Sequence, residues 1–576
     1  MIGKYYQREL ANLRNLAKEF AEAHPALAPM LSGQSTDPDV ERLLEGTAFL
    51  SGLIYEKLDN DFPEIIHGLI QLIFPHYLRP IPSATLIRFT PKRSLRETIV
   101  IEKGTAIDAV ETEGTRCTFT TRYDMALSPL SVTAVHFSIQ GDGEGALSIE
   151  LLLEGMDAAA FQPGSLRFHL AGVYSEASRR YWMMFTRLRN VTLKTGDGRA
   201  IALGKEAVRP VGFDEEEALI PFPARSFPGY RILQEYFILP EKFLFFDVTG
   251  LDQWRKRGAG SRFTLEFEFA CLPQDLPPMQ ADHFQLFVTP ALNLFQHHAD
   301  PIVLDQKRAE YPIRAGGTQP QHYQIYALNK VTGFIQGTVK EREYLPFELF
   351  NPQVEATPVY AVHHRLSPMD NKAELHLSVA YPGGSAESTP ETLSMDIMCT
   401  NGSLTEALRP GDVRLPTESS PELAEFTNVR APTAPVQPPL GKNLLWRLLS
   451  HLFLNYLSVA DAENLRSVLK LYIFTETKDR AALLSNTQRV EGIQELEVRA
   501  SDRFVNGQLL RGQEINVRID RQGFTGVGDL YLFGSVLDVF LGNYAAINAY
   551  TRLIVEDTSG KERMTWPIRL GDRILL

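Results

Sequence analysis

Cysteine is scarce: Cys117, Cys271 and Cys399 are the only three in 576 residues, and they stand far apart. That spacing offers neither a disulfide framework nor a paired-thiolate metal clip, so all three read as small buried hydrophobes. Long apolar runs are missing as well. No stretch approaches the roughly 18 apolar residues of a membrane-spanning helix, and the opening "MIGKYYQRELANLRNLAKEF" is charged throughout, without the apolar core of a secretory signal. The expectation is a cytoplasmic chain without membrane insertion. An excess of positive charge is also lacking, since 58 Lys and Arg face 70 Asp and Glu for a formal net charge of -12. The basic footprint of a nucleic-acid-binding protein is therefore not expected.

Catalytic signatures are equally sparse. Neither HExxH nor GxSxG occurs. "GRAIALGKE" (Gly198 to Glu206) has five residues between its glycines instead of four, and Glu206 stands where a phosphate loop needs Ser or Thr. "GDGEGA" and "GVGDLY" lack full GxGxxG spacing and read as turns. The His pairs in "QHHAD" and "VHHRL" are sequence neighbours, which point apart on a strand or helix. The one arresting motif is Glu64-x-x-His67 in "LDNDFPEIIHGL", which on a helix could ligate a metal. A di-iron bundle needs a second such motif, and none is present. Pro63 as a helix opener, with Asp61 as cap and Glu64 three residues later, explains the stretch as a helix start. No metal or cofactor is expected.

A chain this long exceeds the roughly 250 to 300 residues at which one core stops growing, so several domains are expected. Residues 1–82 read as a helical bundle: a first helix to His24-Pro25, a second opening at Asp37-Pro38, and a third from Glu64 to Phe74. In the second helix the main stripe is Val40, Leu43, Leu44, Leu50, Ile54 and Leu58. Phe49 and Leu53 fall on the opposite side, where a partner could cover them. From residue 83 the texture turns to short alternating runs with glycine punctuation. These predict antiparallel β-rich domains over 83–290 and 291–430. Pro432, Pro435, Pro438 and Pro439 mark a linker. Residues 431–576 read as a C-terminal α+β domain that begins with "LLWRLLSHLFLNYL" and carries a helix in "FGSVLDVFLGNYAAINAY". There Val539 and Leu541 widen the apolar arc beyond a stripe that includes Phe540 and Tyr544, making these four further candidates for a partner interface. The fold class expected is α+β.

Beyond periodicity, "DPDVERLLEGTAFLSGLIYEKLDNDFPEIIHGLIQLIFPHYLRPIPS", "GYRILQEYFILPEKFLFFD", "TPALNLF" and "YLFGSVLDVFLGNYAAINAYTRL" carry a resemblance. Together with the first helix they are similar to the TssF family of type VI secretion baseplate proteins, also called VasA or ImpG, in order along nearly the whole chain. "WPIRLG" departs from the pattern where Ile568 replaces a second proline. The resemblance implies a non-enzymatic structural subunit. It implies two copies per TssG-like subunit, further contacts with TssK, TssE and the VgrG spike hub, and beyond these the sheath, whose assembly the baseplate primes. Two other readings come from different sources: a wedge component of another contractile, phage-tail-like machine, and, from carboxylate pairs such as Asp59 and Asp61, a metal- or carboxylate-dependent hydrolase.

Overall fold

The computed structural model describes residues 2–23, 38–139, 143–223, 226–255, 257, 260–273, 275–305, 307–337, 341–347, 358–367, 373–381, 391–440, 461–474, 478–505, 508–545, 547, 549–558 and 562–571. Seven α-helices lie among them: α1 (Ile2–Ala23), α2 (Pro38–Ile73), α3 (Tyr174–Thr186), α4 (Pro228–Ile238), α5 (Ala462–Leu471), α6 (Arg480–Glu491) and α7 (Val527–Gly542). The rest is mostly strand, and the fold is α+β as its sequence texture implies.

The two N-terminal helices pack on each other, and the second corrects the expected break at Pro63. α2 runs unbroken for 36 residues. A proline inside a helix forfeits a hydrogen bond and costs on the order of 3 kcal/mol. Here, however, apolar residues recur in phase on both sides of it at Leu50, Ile54, Leu58, Phe62, Ile66 and Ile70. A single apolar row that keeps its phase across the proline favours one helix over two. Asp61 therefore does not cap a helix start.

The first β unit contains three larger sheets and a two-stranded one, Ile99–Ile101 with Met125–Leu127, around one core. A six-stranded sheet has the order Val413–Pro416, Ala106–Ala109, Thr118–Thr121, Val288–Leu292, Ala84–Pro91, Ala424–Asn428. A five-stranded sheet runs from Ala200–Ala202 through Leu188–Thr195, Arg262–Phe269 and Gly145–Leu153 to Leu130–Ile139. In its Gly145–Leu153 strand buried and half-buried residues alternate strictly, the period-two pattern of a strand with one face on the core. The third sheet is Val208–Pro210, Phe245–Val248, Leu166–Leu170 and Phe284–Leu286.

The expected division of the middle region is redrawn by these pairings. Val413–Pro416 and Ala424–Asn428, assigned from sequence to the second β domain, close the first sheet instead. The second β unit has its own core, with Val331, Leu377, Leu393, Met395 and Ile397 at its centre, and its sheet reaches from Phe295 to Thr400. It is an insertion, and a small polar clasp closes its neck. Asn293 Nδ2 donates to Asn401 Oδ1 at 2.8 Å, while Asn401 N and Thr400 Oγ1 each donate to Asn293 Oδ1 at 2.7 Å. The proline-rich stretch is likewise no free linker: Thr433 N donates to Ala84 O at 2.8 Å, Ile81 pairs with Val436, and Val436 and Leu440 are buried.

In the C-terminal part, α5 and α6 precede a long hairpin, Ile493–Val505 with Gln508–Ile519. Gln508–Ile519 then pairs in parallel with Ala549–Asp557, and α7 makes the crossover between them. α7 packs against α3 and α4 of the first unit as well as against its own sheet. The "LLWRLLSHLFLNYL" segment lies outside the described residues. Gly528 permits the close approach to α3, because a Cβ there would lie 2.3 Å from the Ser178 carbonyl carbon. At this junction Asp529 is fully buried. Its Oδ2 accepts from Arg489 Nη2 at 3.1 Å and from Thr525 N at 3.1 Å, and its Oδ1 accepts from Tyr174 Oη at 2.8 Å.

Removing one partner of a buried ion pair strands the other charge. Arg489→Leu should therefore lower unfolding free energy by about 3 to 5 kcal/mol, and the Arg489→Leu/Asp529→Leu double variant by less than the sum of the single changes. Urea unfolding measures both. A single-variant loss below about 1 kcal/mol would show that the junction does not depend on this pair.

Candidate assembly surfaces and buried polar clusters

Small residues decide which face of α2 meets α1. The row Val40, Leu44, Ala48 and Gly52 turns toward α1, with Ala48 fully buried, Gly52 buried and the other two half-buried, and Arg14 of α1 forms an ion pair with Glu41 beside it. Packing on Ala48 and Gly52 brings the helices close. It leaves Leu43 70% and Leu50 62% exposed, and this corrects the expectation that both belong to the inward stripe. Phe49 and Leu53 are exposed too. At 100° per residue, Phe49, Leu53, Leu50 and Leu43 span an arc of about 120°, a continuous apolar face as wide as a core-facing stripe. Leu16 and Phe20 expose further apolar surface on α1.

The other sequence candidates lie elsewhere in character. Val539, Phe540, Leu541 and Tyr544 are all covered by the chain itself. Phe540 meets Tyr230 and Phe227, the Tyr544 ring lies tilted against Phe227 with centroids 4.5 Å apart, and Tyr544 Oη lies 3.2 Å from Tyr230 Oη. Of α7 only Tyr531 is less than buried, because the helix is sandwiched between its own sheet and the first unit. Its broad apolar arc is filled from within, and these four are core positions here.

The side chains of Asp59, Asp61 and Glu64 lie outside the described residues, but His67 does not. It is buried where α2 crosses the Val359–Leu366 strand, edge-on to His364 with ring centroids 6.4 Å apart. Burial lowers the pKa of His67, and burial together with the neighbouring His67, Arg79 and His363 pushes that of His364 down to about 3. Both "HH" pairs split to opposite sides of their strands, as strand alternation requires. His297 bonds Gly316 O and stacks on Tyr323, whereas His298 pairs with Asp396; His363 bonds Ser378, whereas His364 reaches Gln71. Among the described residues no three His, Cys, Asp or Glu converge as metal ligands.

What sequence reading missed is a charged cluster inside the first unit. Glu235 of α4 is fully buried between Arg231 and Lys242, and its Oε1 accepts from Leu219 N at 2.8 Å and Ile220 N at 3.1 Å. Burial would raise the carboxyl pKa, but the two cations outweigh it and hold it low; burial brings Lys242 down to about 8, with Glu235 opposing the fall. The signal was present in "GYRILQEYFILPEKF", where Arg231, Gln234, Glu235, Glu241 and Lys242 interrupt a mostly apolar stretch. The cluster is sealed from solvent, which suits internal bracing and leaves no room for a substrate.

The model of the type VI secretion system TssF family matches residues 1–573. The chain belongs to that family. It is similar to the type VI secretion system component TssF1 of Pseudomonas aeruginosa, with 29% identity over 99% of this chain and 98% of that protein. Among solved structures it resembles a chain of the type VI secretion TssK-TssF-TssG baseplate subcomplex seen by cryo-electron microscopy, with TM-score 0.78 and 31% identity over 92% of this chain and 98% of the other. It also resembles a chain of the type VI secretion baseplate complex, with TM-score 0.62 and 26% identity across the whole of both chains. Among the described residues no helix is long and apolar enough to cross a membrane.

The His67–His364 contact carries a pH dependence. Unfolded imidazoles take up protons near pH 6.5 and the folded pair resists them, so its stability is complete above that pH and is lost as pH falls toward the folded values. Relative to His364→Gln, the native chain should lose about 2 kcal/mol between pH 7 and pH 4.5. Denaturant unfolding at the two pH values reads the difference, and parallel pH profiles would refute the assignment.

Proposed function

We propose that this chain is a non-enzymatic structural subunit of the cytoplasmic type VI secretion baseplate. It joins TssG and TssK subunits, with two copies to one TssG, and meets TssE and the VgrG hub in the wedge that primes sheath growth. The observation that carries the reading is the uncovered apolar face of α2. Leu43, Phe49, Leu50 and Leu53 stand in one arc, exposed at 70, 45, 62 and 36%. A patch of that kind on an otherwise well-packed chain marks a surface that another subunit covers. The buried charge clusters fit a subunit whose work is to hold shape, since each is satisfied internally. The named companions are those of the TssF chain in the matched subcomplex; TssE, the hub, the sheath and the copy number follow from the family resemblance.

Obligate interfaces are more apolar than transient ones, and a chain that lacks its partners exposes them. The isolated protein should therefore aggregate on size-exclusion chromatography and become monodisperse when co-expressed with its TssG and TssK counterparts. Leu43→Ser/Leu50→Ser should improve the behaviour of the isolated chain, change its melting temperature little because both side chains are exposed, and abolish co-purification. Unimpaired co-purification would remove α2 from the interface.

A further inference from the structure

Two sheets of the first β unit end in edges that line one slot. The five-stranded sheet ends in Leu130–Ile139, which among the described residues pairs with Gly145–Leu153 on one side and with no strand on the other. The four-stranded sheet ends in Phe284–Leu286, which among the described residues pairs only with Leu166–Leu170. Between them lies a cavity of about 470 Å³, walled by Leu130 and Val132 from the first edge, Phe284 and Leu286 from the second, and the exposed Arg88 and Arg93.

Among the described residues the longer edge carries no further strand, and only the short Ala281–Leu286 segment approaches it. Protein edges are ordinarily blunted by lysine, proline or shortness, because a row of unpaired N–H and C=O groups templates another strand. "LSVTAVHFSI" is ten residues long, contains no Lys, Arg or Pro, and carries one bulge, between Val132 and Ala134. Val132, Thr133, Val135, Phe137 and Ile139 give it high strand propensity. The slot also has unspent positive charge. Glu154 accepts from Ser131 Oγ at 3.1 Å and Asp282 lies 3.9 Å from His283, whereas Arg88 and Arg93 pair with no carboxylate among the described residues.

We propose that this slot receives an extended segment of a baseplate partner, which adds as a further strand to the Leu130–Ile139 edge. Its alternate apolar side chains lie between the two sheets, and an acidic side chain faces Arg88 and Arg93. Main-chain ladder bonds supply affinity in such additions, while pockets for alternate side chains supply specificity. The proposal rests on the baseplate reading, and the experiment separates the two.

Hydrogen–deuterium exchange is measured on the full chain alone and in a reconstituted complex with its TssG and TssK counterparts. Amides in Leu130–Ile139 should exchange about tenfold more slowly or less in the complex. Arg88→Glu/Arg93→Glu, which changes only exposed side chains, should reverse that slowing and weaken assembly about tenfold. Val135→Pro and His136→Pro test the ladder itself. Neighbouring residues aim their N–H groups in opposite directions, so one of the two variants removes an outward donor while keeping the native sheet, and that variant should lose protection in the complex. A complex that forms with unchanged exchange at this edge overturns the inference and leaves the baseplate reading intact, and no complex at all overturns both. Protection that grows with concentration in the chain alone assigns the edge to a second copy and overturns the partner strand. Full protection in the double arginine variant overturns the acidic occupant.

Discussion

Asp529 sits where three parts of the molecule meet, and the arrangement of the C-terminal half depends on it. The carboxylate belongs to α7, the arginine beside it to α6, and the tyrosine hydroxyl on its other oxygen to α3 of the first β unit. Tyr236 of α4 approaches the same oxygen at 3.5 Å. A buried carboxylate without such partners would carry a desolvation cost of several kcal/mol. The sequence-distant elements therefore have to arrive together. α7, almost wholly buried, can sit in only one register against α3 and α4, because any axial slip separates the charge from its donors and drives the helix backbone into Ser178.

The distribution of polarity follows from that demand for shape. Charge is placed inside, at Glu235 with Arg231 and Lys242 and at Asp529 with Arg489, while leucine and phenylalanine are left outside on α2. Internal ion clusters add little net stability but penalise every arrangement except the one that satisfies them. For a subunit proposed to work through its contour, this division is economical: the interior resists deformation, and the exterior keeps apolar surface available for neighbours.

Local pattern was legible wherever one face met the core. The alternation in Gly145–Leu153 and the strands over 493–519 follow directly from period-two spacing, whereas the last helix, expected over 533–550, runs Val527–Gly542 and gives way to a strand at Ala549. α3 was not legible, because "YSEASRRYWMMFT" mixes aromatic, cationic and small residues without a clean stripe. The return of Val413–Pro416 and Ala424–Asn428 to the first sheet was not legible either, since partners some 300 residues away leave no mark on local spacing. Proline misled twice. At Pro63 the in-phase apolar row overrode it, and at 432–439 the residues between the prolines supply the backbone donors that dock the stretch. On α2, hydrophobicity alone singled out Phe49 and Leu53 as outward but misplaced Leu43 and Leu50. The contact with α1 was set by the smallness of Ala48 and Gly52, and size complementarity depends on the opposing surface.

The Asn293–Asn401 clasp has an implication for how this chain tolerates change. It joins residues 108 positions apart, so the whole second β unit is an excursion whose two ends are pinned side by side. The entropy of closing a loop grows only logarithmically, by about 0.6 kcal/mol for each doubling of its length. Residues can thus be added to or deleted from the excursion at small thermodynamic penalty, provided its own core survives. The first sheet still receives its closing strands from the same point, and so the periphery can diverge in size and outline while the frame that carries Asp529 stays fixed.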